Sequence, residues 1–397
     1  MRPHVDQRQA QVLALVGARG SVRVADLAQE LGVSPVTLRR DIEAMAARGE
    51  IRRMHGVISR VEGGSAGGAA GARESASASS DSASASASAS ASASASVGTG
   101  SSAEDRAGAA AGAAGLVIGM VVPTTEYYYA DVVRGAREVV EARGARLTVG
   151  LTRYLPGEDR TQADRLLSTG ADGLLLTPNW DAGSPGPGEG AWTAELPVPT
   201  VLVERWAPPG HPAAALDRVA SDHAYGAATA VQHLVERGHR RIALAGRATP
   251  TTPRLRAGYE AAVAALGLEP APPWPTAAPG PLSDADLFAR TLEYLCEAVT
   301  AGGVSAALIH SDTDAIMLIP RLQARGVRVP EDLAVITYDD EVAGLADVPL
   351  SAVAPAKREV GARAAGLLLD RLTAAGGGRG EGPRQHVELL PRLTIRS

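Results

Sequence analysis

Apolar and polar positions along this 397-residue chain follow three successive patterns. In the first sixty or so residues, apolar side chains recur at the three- and four-residue spacing of amphipathic helices. VDQRQAQVLALVGARG predicts a first helix that packs Val12, Leu13 and Val16 against Leu27 and Leu31. VRVADLAQELGVSPVTLRRDIEAMAARG predicts two further short helices joined by a Gly-Val-Ser turn. The second of these opens with Ser34 as N-cap and Pro35 at its first helical position. Leu38, Ile42 and Met45 fall at i, i+4 and i+7 and share one apolar stripe. At about 100° per residue, Val36 and Arg40 point almost the opposite way, with Thr37 and Arg39 on the flanks. Gly49 stops the helix, and EIRRMHGVISRV alternates as a basic hairpin turning near His55-Gly56.

The second pattern has almost no large apolar positions. From Gly63 to about Ala114 the chain is nearly all Gly, Ala and Ser, including SASASASASASASAS. Such a segment buries too little to offset its ordering entropy, so residues 63–114 are expected to be a disordered tether spanning on the order of 40 Å. The third pattern begins at residue 115. GLVIGMVV, ARLTVGL, DGLLLT, PTVLV, RRIALAG, SAALIH and DLAVITYDD read as buried strands. They are separated by helical patterns such as YYADVVRGAREVVEARG, DRTQADRLLSTG, HAYGAATAVQHLVERG, RLRAGYEAAVAALG and TDAIMLIPRLQARG. Repeated βαβ units with continuous apolar strands predict parallel sheets covered by helices on both faces. About 280 residues is long for one such sheet, so residues 115–397 are expected to form two α/β lobes with a ligand cleft between them. DAGSPGPGEG and PAPPWPTAAPGP read as surface loops.

Composition narrows the chemistry. Aromatic residues make up 3%, with Phe288 the sole phenylalanine, so the cores must be built from Ala, Val, Leu and Ile. A single cysteine, Cys296, excludes an intrachain disulfide framework and a zinc finger and suits a reducing cytosol. With no apolar run near 18 residues and no signal peptide, a cytoplasmic protein without membrane association is expected. Residues 1–62 carry 10 arginines against 7 carboxylates, a net +3, within a whole-chain charge of −5, the distribution expected if only the head meets phosphates. All basic residues but Lys357 are arginines. No GxGxxG follows a strand, and there is no GxxxxGK[ST], Cys/His cluster or nucleophile elbow. Asp339 and Asp340, adjacent in sequence, need not converge as an acid/base pair. No catalytic residue, metal or cofactor is therefore assigned. A helix with an apolar back and a Thr/Arg front fits the major groove of double-stranded DNA, with Thr37 and Arg40 as base-edge candidates and Arg39 and Arg53 on phosphates.

DLAQELGVSPVTLRRDIEAMAARGEIRRMHG, within residues 5–60, resembles the DNA-binding domain of DeoR-type regulators. The resemblance implies a winged helix-turn-helix with Ser34, Val36, Thr37, Arg39 and Arg40 towards DNA and Arg52, Arg53 and His55 on the wing. The body resembles the effector domain of LacI-type regulators, itself similar to periplasmic sugar-binding proteins. It does so through IGMVVPTTEYYYADVVRGARE, VPTVLVER, VASDHAYGAATAVQHLVERGHRRIALAG, PRLRAGYEAAV, HSDTDAIMLIPRLQARGVRVPEDLAVITYDD and PLSAVAPAKREVGARAAGLLLDRL. By position this places Tyr128, Tyr129, Glu204, Arg205, Arg256, Ser311, Asp312 and Asp339 in the cleft. Asn179 and Trp180, after the third body strand, are added from the sequence itself. Glu126-Tyr127 stands where Asn-Pro is usual, Ser311 where Asn is usual, and the hinge helix usual before such a body is not visible. The expectation is an α/β, two-lobed body behind a small winged head: residues 1–62 for DNA, 63–114 as tether, 115–397 for effector. Such a chain would act as a homodimeric repressor whose operator affinity responds to a small carbohydrate. A body serving only as a fixed dimerisation module, or an α/β enzyme acting on a sugar or nucleotide, are the alternatives.

Overall fold

The computed structural model describes residues 5–19, 21–23, 27, 42, 45, 51–54, 57–60, 113–186, 188–274, 284–374 and 382–396. The chain divides into two units, residues 1–95 and 96–397, each described by itself.

In the first unit, helix α1 (Val5–Arg19) is followed by strand β1 (Ser21–Arg23) and the antiparallel hairpin β2 (Ile51–Met54) and β3 (Val57–Arg60). The sheet order is β1-β3-β2, so the expected hairpin gains a third strand, with Val22 opposite Ile58. Val12, Val16, Leu27, Ile42 and Met45 are all buried, as their spacing predicts. Leu13, expected in the same core, is instead 38% exposed. It sits one residue, and so about 100°, around the helix from Val12, whereas Val16 is one turn on and shares Val12's face. Leu31 and Leu38 lie outside the described residues.

The second unit contains two α/β lobes. The first holds a six-stranded parallel sheet in the order β13-β8-β7-β6-β4-β5. Its strands are β4 (Val117–Val122), β5 (Arg146–Leu151), β6 (Gly173–Leu176), β7 (Thr200–Val203), β8 (Asp217–Ser221) and β13 (His386–Leu389). Helices α2 (Tyr128–Ala142) and α8 (Lys357–Ala374) cover one face around Ile118, Met120, Val132, Val140, Leu368 and Leu369. Helix α3 (Glu158–Ser168) and the segment around Trp180 cover the other. The second lobe's sheet runs β14-β12-β11-β10-β9, parallel except for β14. Its strands are β9 (Ile242–Gly246), β10 (Ala306–His310), β11 (Ala334–Tyr338), β12 (Ser351–Ala354) and β14 (Arg392–Thr394). Helices α4 (His223–Glu236) and α5 (Thr252–Ala265) pack on one face, and α6 (Asp284–Thr300) and α7 (Asp312–Gln323) on the other. All seven strands expected from apolar runs are present; β8, β12, β13 and β14 are three- to five-residue additions.

The chain changes lobe between β8 and α4, between β12 and α8, and between β13 and β14. Two devices anchor the segments that return to the first lobe, α8 and β13. A Cβ on Gly135 would lie 1.9 Å from the Arg358 carbonyl oxygen, and one on Gly361 1.9 Å from that of Val132, so glycine alone lets α2 and α8 approach this closely. Buried Asp217 at the start of β8 receives a two-pronged bond from Arg371 of α8 (2.9 and 2.8 Å) and the Gln385 N–H (2.7 Å) just before β13.

Candidate functional site

Parallel strands deliver the segments after their carboxyl ends to one edge of each sheet, and the three crossings set these two edges facing each other. β4 lies between β5 and β6, so the chain reverses direction across the sheet there, and the segment after β4 is where a ligand is expected. That segment carries Tyr127, Tyr128 and Tyr129.

A hydrogen-bonded cluster spans the two edges. Glu204, after β7 and 3% exposed, accepts from Tyr128 Oη (2.7 Å) and Ser221 Oγ (2.8 Å) on one oxygen and from Ser221 N (3.1 Å) on the other. His223 Nε2, at the head of α4 in the opposite lobe, is 3.4 Å from the same carboxylate. His223 Nδ1 is 2.9 Å from Tyr338 Oη at the end of β11. Asp339 follows, 3.4 Å from His310 Nε2 and 3.4 Å from Tyr127 Oη, whose main partner is Asp312. Lys357 Nζ donates to the Asp339 carbonyl and the Glu341 carboxylate and lies 5.2 Å from the Tyr128 ring centre. Trp206 closes one side: Arg254 sits 4.6 Å over its ring, and its indole N–H donates to Glu388 (3.2 Å).

The electrostatics follow from this packing. Burial alone would raise Glu204, but the hydrogen bond and charge of His223, with the Tyr128 and Ser221 donors, hold its carboxyl below the ordinary range. Asp339 is likewise lowered: burial opposes ionisation, while His310, Lys357 and His223 outweigh it. Burial, with Glu204 close by, pushes the Tyr128 hydroxyl well up, and burial does the same to Tyr338. Both phenols stay protonated, and Tyr128 donates to Glu204. Backbone strain concentrates here too, since Tyr127 (φ 52°), Glu204 (φ 54°) and Asp339 (φ 97°) all adopt a region that side-chain-bearing residues avoid. Arg205 Nη2 and His310 Nδ1 are buried without a hydrogen-bond partner, which is costly unless something else fills the role.

The sequence-expected cleft residues divide. Tyr128, Glu204 and Asp339 lie in the cluster itself. Asp312 is fully buried and joins it through Tyr127, yet its Oδ2 is occupied by the N–H groups of Glu341 (2.6 Å), Val342 (2.6 Å) and Ala343 (3.1 Å). Ser311 is the N-cap residue of α7 and makes no side-chain cap bond. Arg205 and Tyr129 pair with each other (3.2 Å), and Arg205 also clamps the Pro178 and Glu204 carbonyls. Asn179 bonds Thr152 and Asp159, and Trp180 is buried in the first lobe's core beside His211, so their contacts stay within that lobe. Arg256 is not brought to the cluster: it sits 5.7 Å over Trp274, on the side of α5 that faces residues 268–274. Two residues along a helix is about 200° of rotation, so Arg254 and Arg256 cannot share a face, and the arginine that reaches the cleft is Arg254. Ser221, His223, His310, Trp206, Arg254 and Lys357 were not expected. Lys357 did carry a signal, as the lone lysine among 39 basic residues, and it is 5% exposed. A compact ammonium fits between one carbonyl, one carboxylate and a ring face where a planar guanidinium fork would not.

In the head, Arg52 and Arg53 lie on β2, the first wing strand. Ser34, Val36, Thr37, Arg39, Arg40 and His55 lie outside the described residues, as does nearly all of segment 63–114. Among the described residues no group of three His, Cys, Asp or Glu side chains could hold a metal, and no helix is long and apolar enough to cross a membrane.

Residues 8–62 match the DeoR-like helix-turn-helix domain. Residues 115–277 match the periplasmic binding proteins and sugar binding domain of the LacI family, and residues 231–397 a periplasmic binding protein-like domain. The HTH-type transcriptional repressor PurR of Haemophilus influenzae (strain PittEE) is 28% identical over 288 residues, 70% of this chain and 80% of that protein. Among solved structures, the transcriptional regulator CelR–cellobiose complex is 27% identical with a TM-score of 0.58, covering 70% of this chain and 83% of that one. The transcription regulator GntR from Chromobacterium violaceum is 25% identical with a TM-score of 0.55, covering 70% and 98%.

Proposed function

Because this chain is a transcriptional regulator with a DeoR-type winged head and a LacI-type effector domain, we propose that it is a cytoplasmic repressor whose operator affinity is set by a small carbohydrate held between the lobes. Residues 1–62 bind the operator, 63–114 act as tether, and 115–397 bind the effector. In the head, Thr37 and Arg40 read base edges from the helix capped by Ser34. Val36 lies beside them, Arg39 and Arg53 contact phosphates, and Arg52 and His55 extend the wing's footprint. The protein performs no catalytic step in this reading.

The observation that carries the effector assignment is the Tyr128–Glu204–His223 chain of contacts, which joins the lobes through a buried carboxylate. Polyhydroxyl ligands are recognised by carboxylates and guanidinium groups on their edges and flat rings on their faces. Glu204, Asp339 and Asp312, the Tyr128 ring and the partnerless Arg205 Nη2 supply that set, with Tyr129 behind Arg205 and Ser311 at the mouth of α7. Cellobiose in the related CelR complex supports a carbohydrate. A homodimer is supported by an apolar cavity of about 220 Å³ on the second lobe, rimmed by Leu345 (80% exposed) and Val348 (52% exposed).

Thermal melting of the full chain against a panel of mono- and disaccharides tests the reading, since a true ligand stabilises by mass action. The expected result is a dose-dependent rise in Tm for one sugar class and a matching change in operator affinity in a DNA titration. No shift across the panel would leave the body as a dimerisation module and reject the carbohydrate effector.

A further inference from the structure

Tyr127 stands out from the rest of the cleft. It belongs to the first lobe, in the loop between β4 and α2, yet its hydroxyl reaches two carboxylates of the second, Asp312 and Asp339. Its backbone is at φ 52°, ψ −124°, which glycine tolerates and tyrosine does not, and a conformation of this kind persists only where surrounding contacts impose it. The contacts present are those two hydrogen bonds, a side-chain hydrogen bond between its hydroxyl and Thr313, and a backbone bond from Ala130 N to the Tyr127 carbonyl (3.2 Å). The side chain is still 36% exposed, so core packing does not hold it there. Burial of the hydroxyl and the two nearby carboxylates push its ionisation far above the ordinary tyrosine value, so it remains a donor. Asp312 offers it a fixed acceptor: Oδ2 is taken by the 341–343 amides, while Oδ1 takes Thr313 N (2.7 Å) and the phenol. Across the lobe gap, a phenolic O–H therefore sits where a ligand hydroxyl would bond.

We infer that Tyr127 is a latch: its hydroxyl occupies the Asp312–Asp339 acceptor pair, holds the lobes together, and must be displaced by a hydroxyl of the effector. This rests on the carbohydrate reading for the identity of the displacing group, but the latch itself does not need a ligand to be seen. Displacement trades one hydroxyl donor for another, so the effector's gain at this point is reduced by the bond it must break. A ligand without a paired donor for the two carboxylates would leave Tyr127 in place and the lobes as they are.

Tyr127→Phe keeps the ring and removes only the O–H. Two measurements on the full chain, wild type against Y127F, are needed. The first is backbone hydrogen exchange of residues 123–130 and 204–209 without any sugar. The second is affinity for the sugars of the panel, cellobiose included. Exchange in both segments should rise about tenfold, the size of one lost bond to a carboxylate, and any sugar that binds should bind about tenfold tighter. Unchanged exchange overturns the latch whatever the sugars do, and a sugar binding both forms alike would then leave the carbohydrate reading intact. Faster exchange with no sugar bound by either form upholds the latch and rejects the carbohydrate. Faster exchange with weaker sugar binding overturns the competition, making Tyr127 a contact for the effector.

Discussion

Replacing Asp312 by Asn separates two roles that sequence position alone would merge. The carboxylate is fully buried and accepts three backbone N–H groups of the turn after β11 on Oδ2, with Thr313 N (2.7 Å) and Tyr127 on Oδ1. Asparagine has one acceptor oxygen. Turned towards residues 341–343, it converts three bonds to a charged acceptor into neutral ones, a loss of about 0.5–1 kcal/mol each. Its amino group then meets Thr313 N–H, leaving a donor unpaired at a cost of about 1–3 kcal/mol. The total is about 2.5–6 kcal/mol, a large share of a typical domain's stability of roughly 5–15 kcal/mol. For a body of this size that corresponds to a fall in Tm of roughly 10 °C, read by calorimetry on the full chain without ligand. A D312N protein melting within about 1 °C of wild type would refute the turn-holding role. If that protein also lost its sugar-induced shift, Asp312 would be a ligand contact alone.

Three further outcomes follow from the same geometry. Gly135→Ala should lower stability by about 1–3 kcal/mol through its 1.9 Å clash with the Arg358 carbonyl, while Gly366→Ala on α8, where a Cβ meets nothing within 4 Å, should be neutral or stabilising by about 0.5–1 kcal/mol; equal melting shifts for the two would contradict the close-crossing argument. The carboxyls of Glu204 and Asp339 are lowered in the folded state, so their contribution is present above the unfolded values near pH 4 and is lost as pH falls through the folded ones. Melting from about pH 6 to 3 should therefore fall more steeply for wild type than for an E204Q/D339N variant, and parallel curves would count against it. Arg40→Ala should weaken operator binding by about 1–3 kcal/mol and relax preference at one base position, and equal losses on operator and scrambled DNA would reassign Arg40 to phosphate.

Much of the fold was legible because it rests on local periodicity. Runs such as GLVIGMVV and SAALIH are buried on both faces of a parallel sheet, and that burial is written into consecutive residues. DRVAS and SAVA were not legible as strands: five and four residues with polar members show no period, and only pairing with β7 and β11 makes them strands. In the head, the Ile42 and Met45 stripe could be read from spacing, whereas β1 becomes a strand only by pairing with β3.

The sequence by itself determined the helix-period spacing that buries Ile42 and Met45 in the head and the alternating strand and helix patterns that imply two α/β lobes. Each is a property of neighbouring residues, so it survives without coordinates. Only the tertiary structure decided which side chains meet. It joined Tyr127 to Asp312 across 185 positions and Tyr128 to Glu204 across 76, set Arg254 rather than Arg256 against Trp206, and committed one oxygen of Asp312 to a turn. Those meetings depend on strand order and on three crossings between lobes, which place the ends of distant strands at one edge. No window along the chain contains that information.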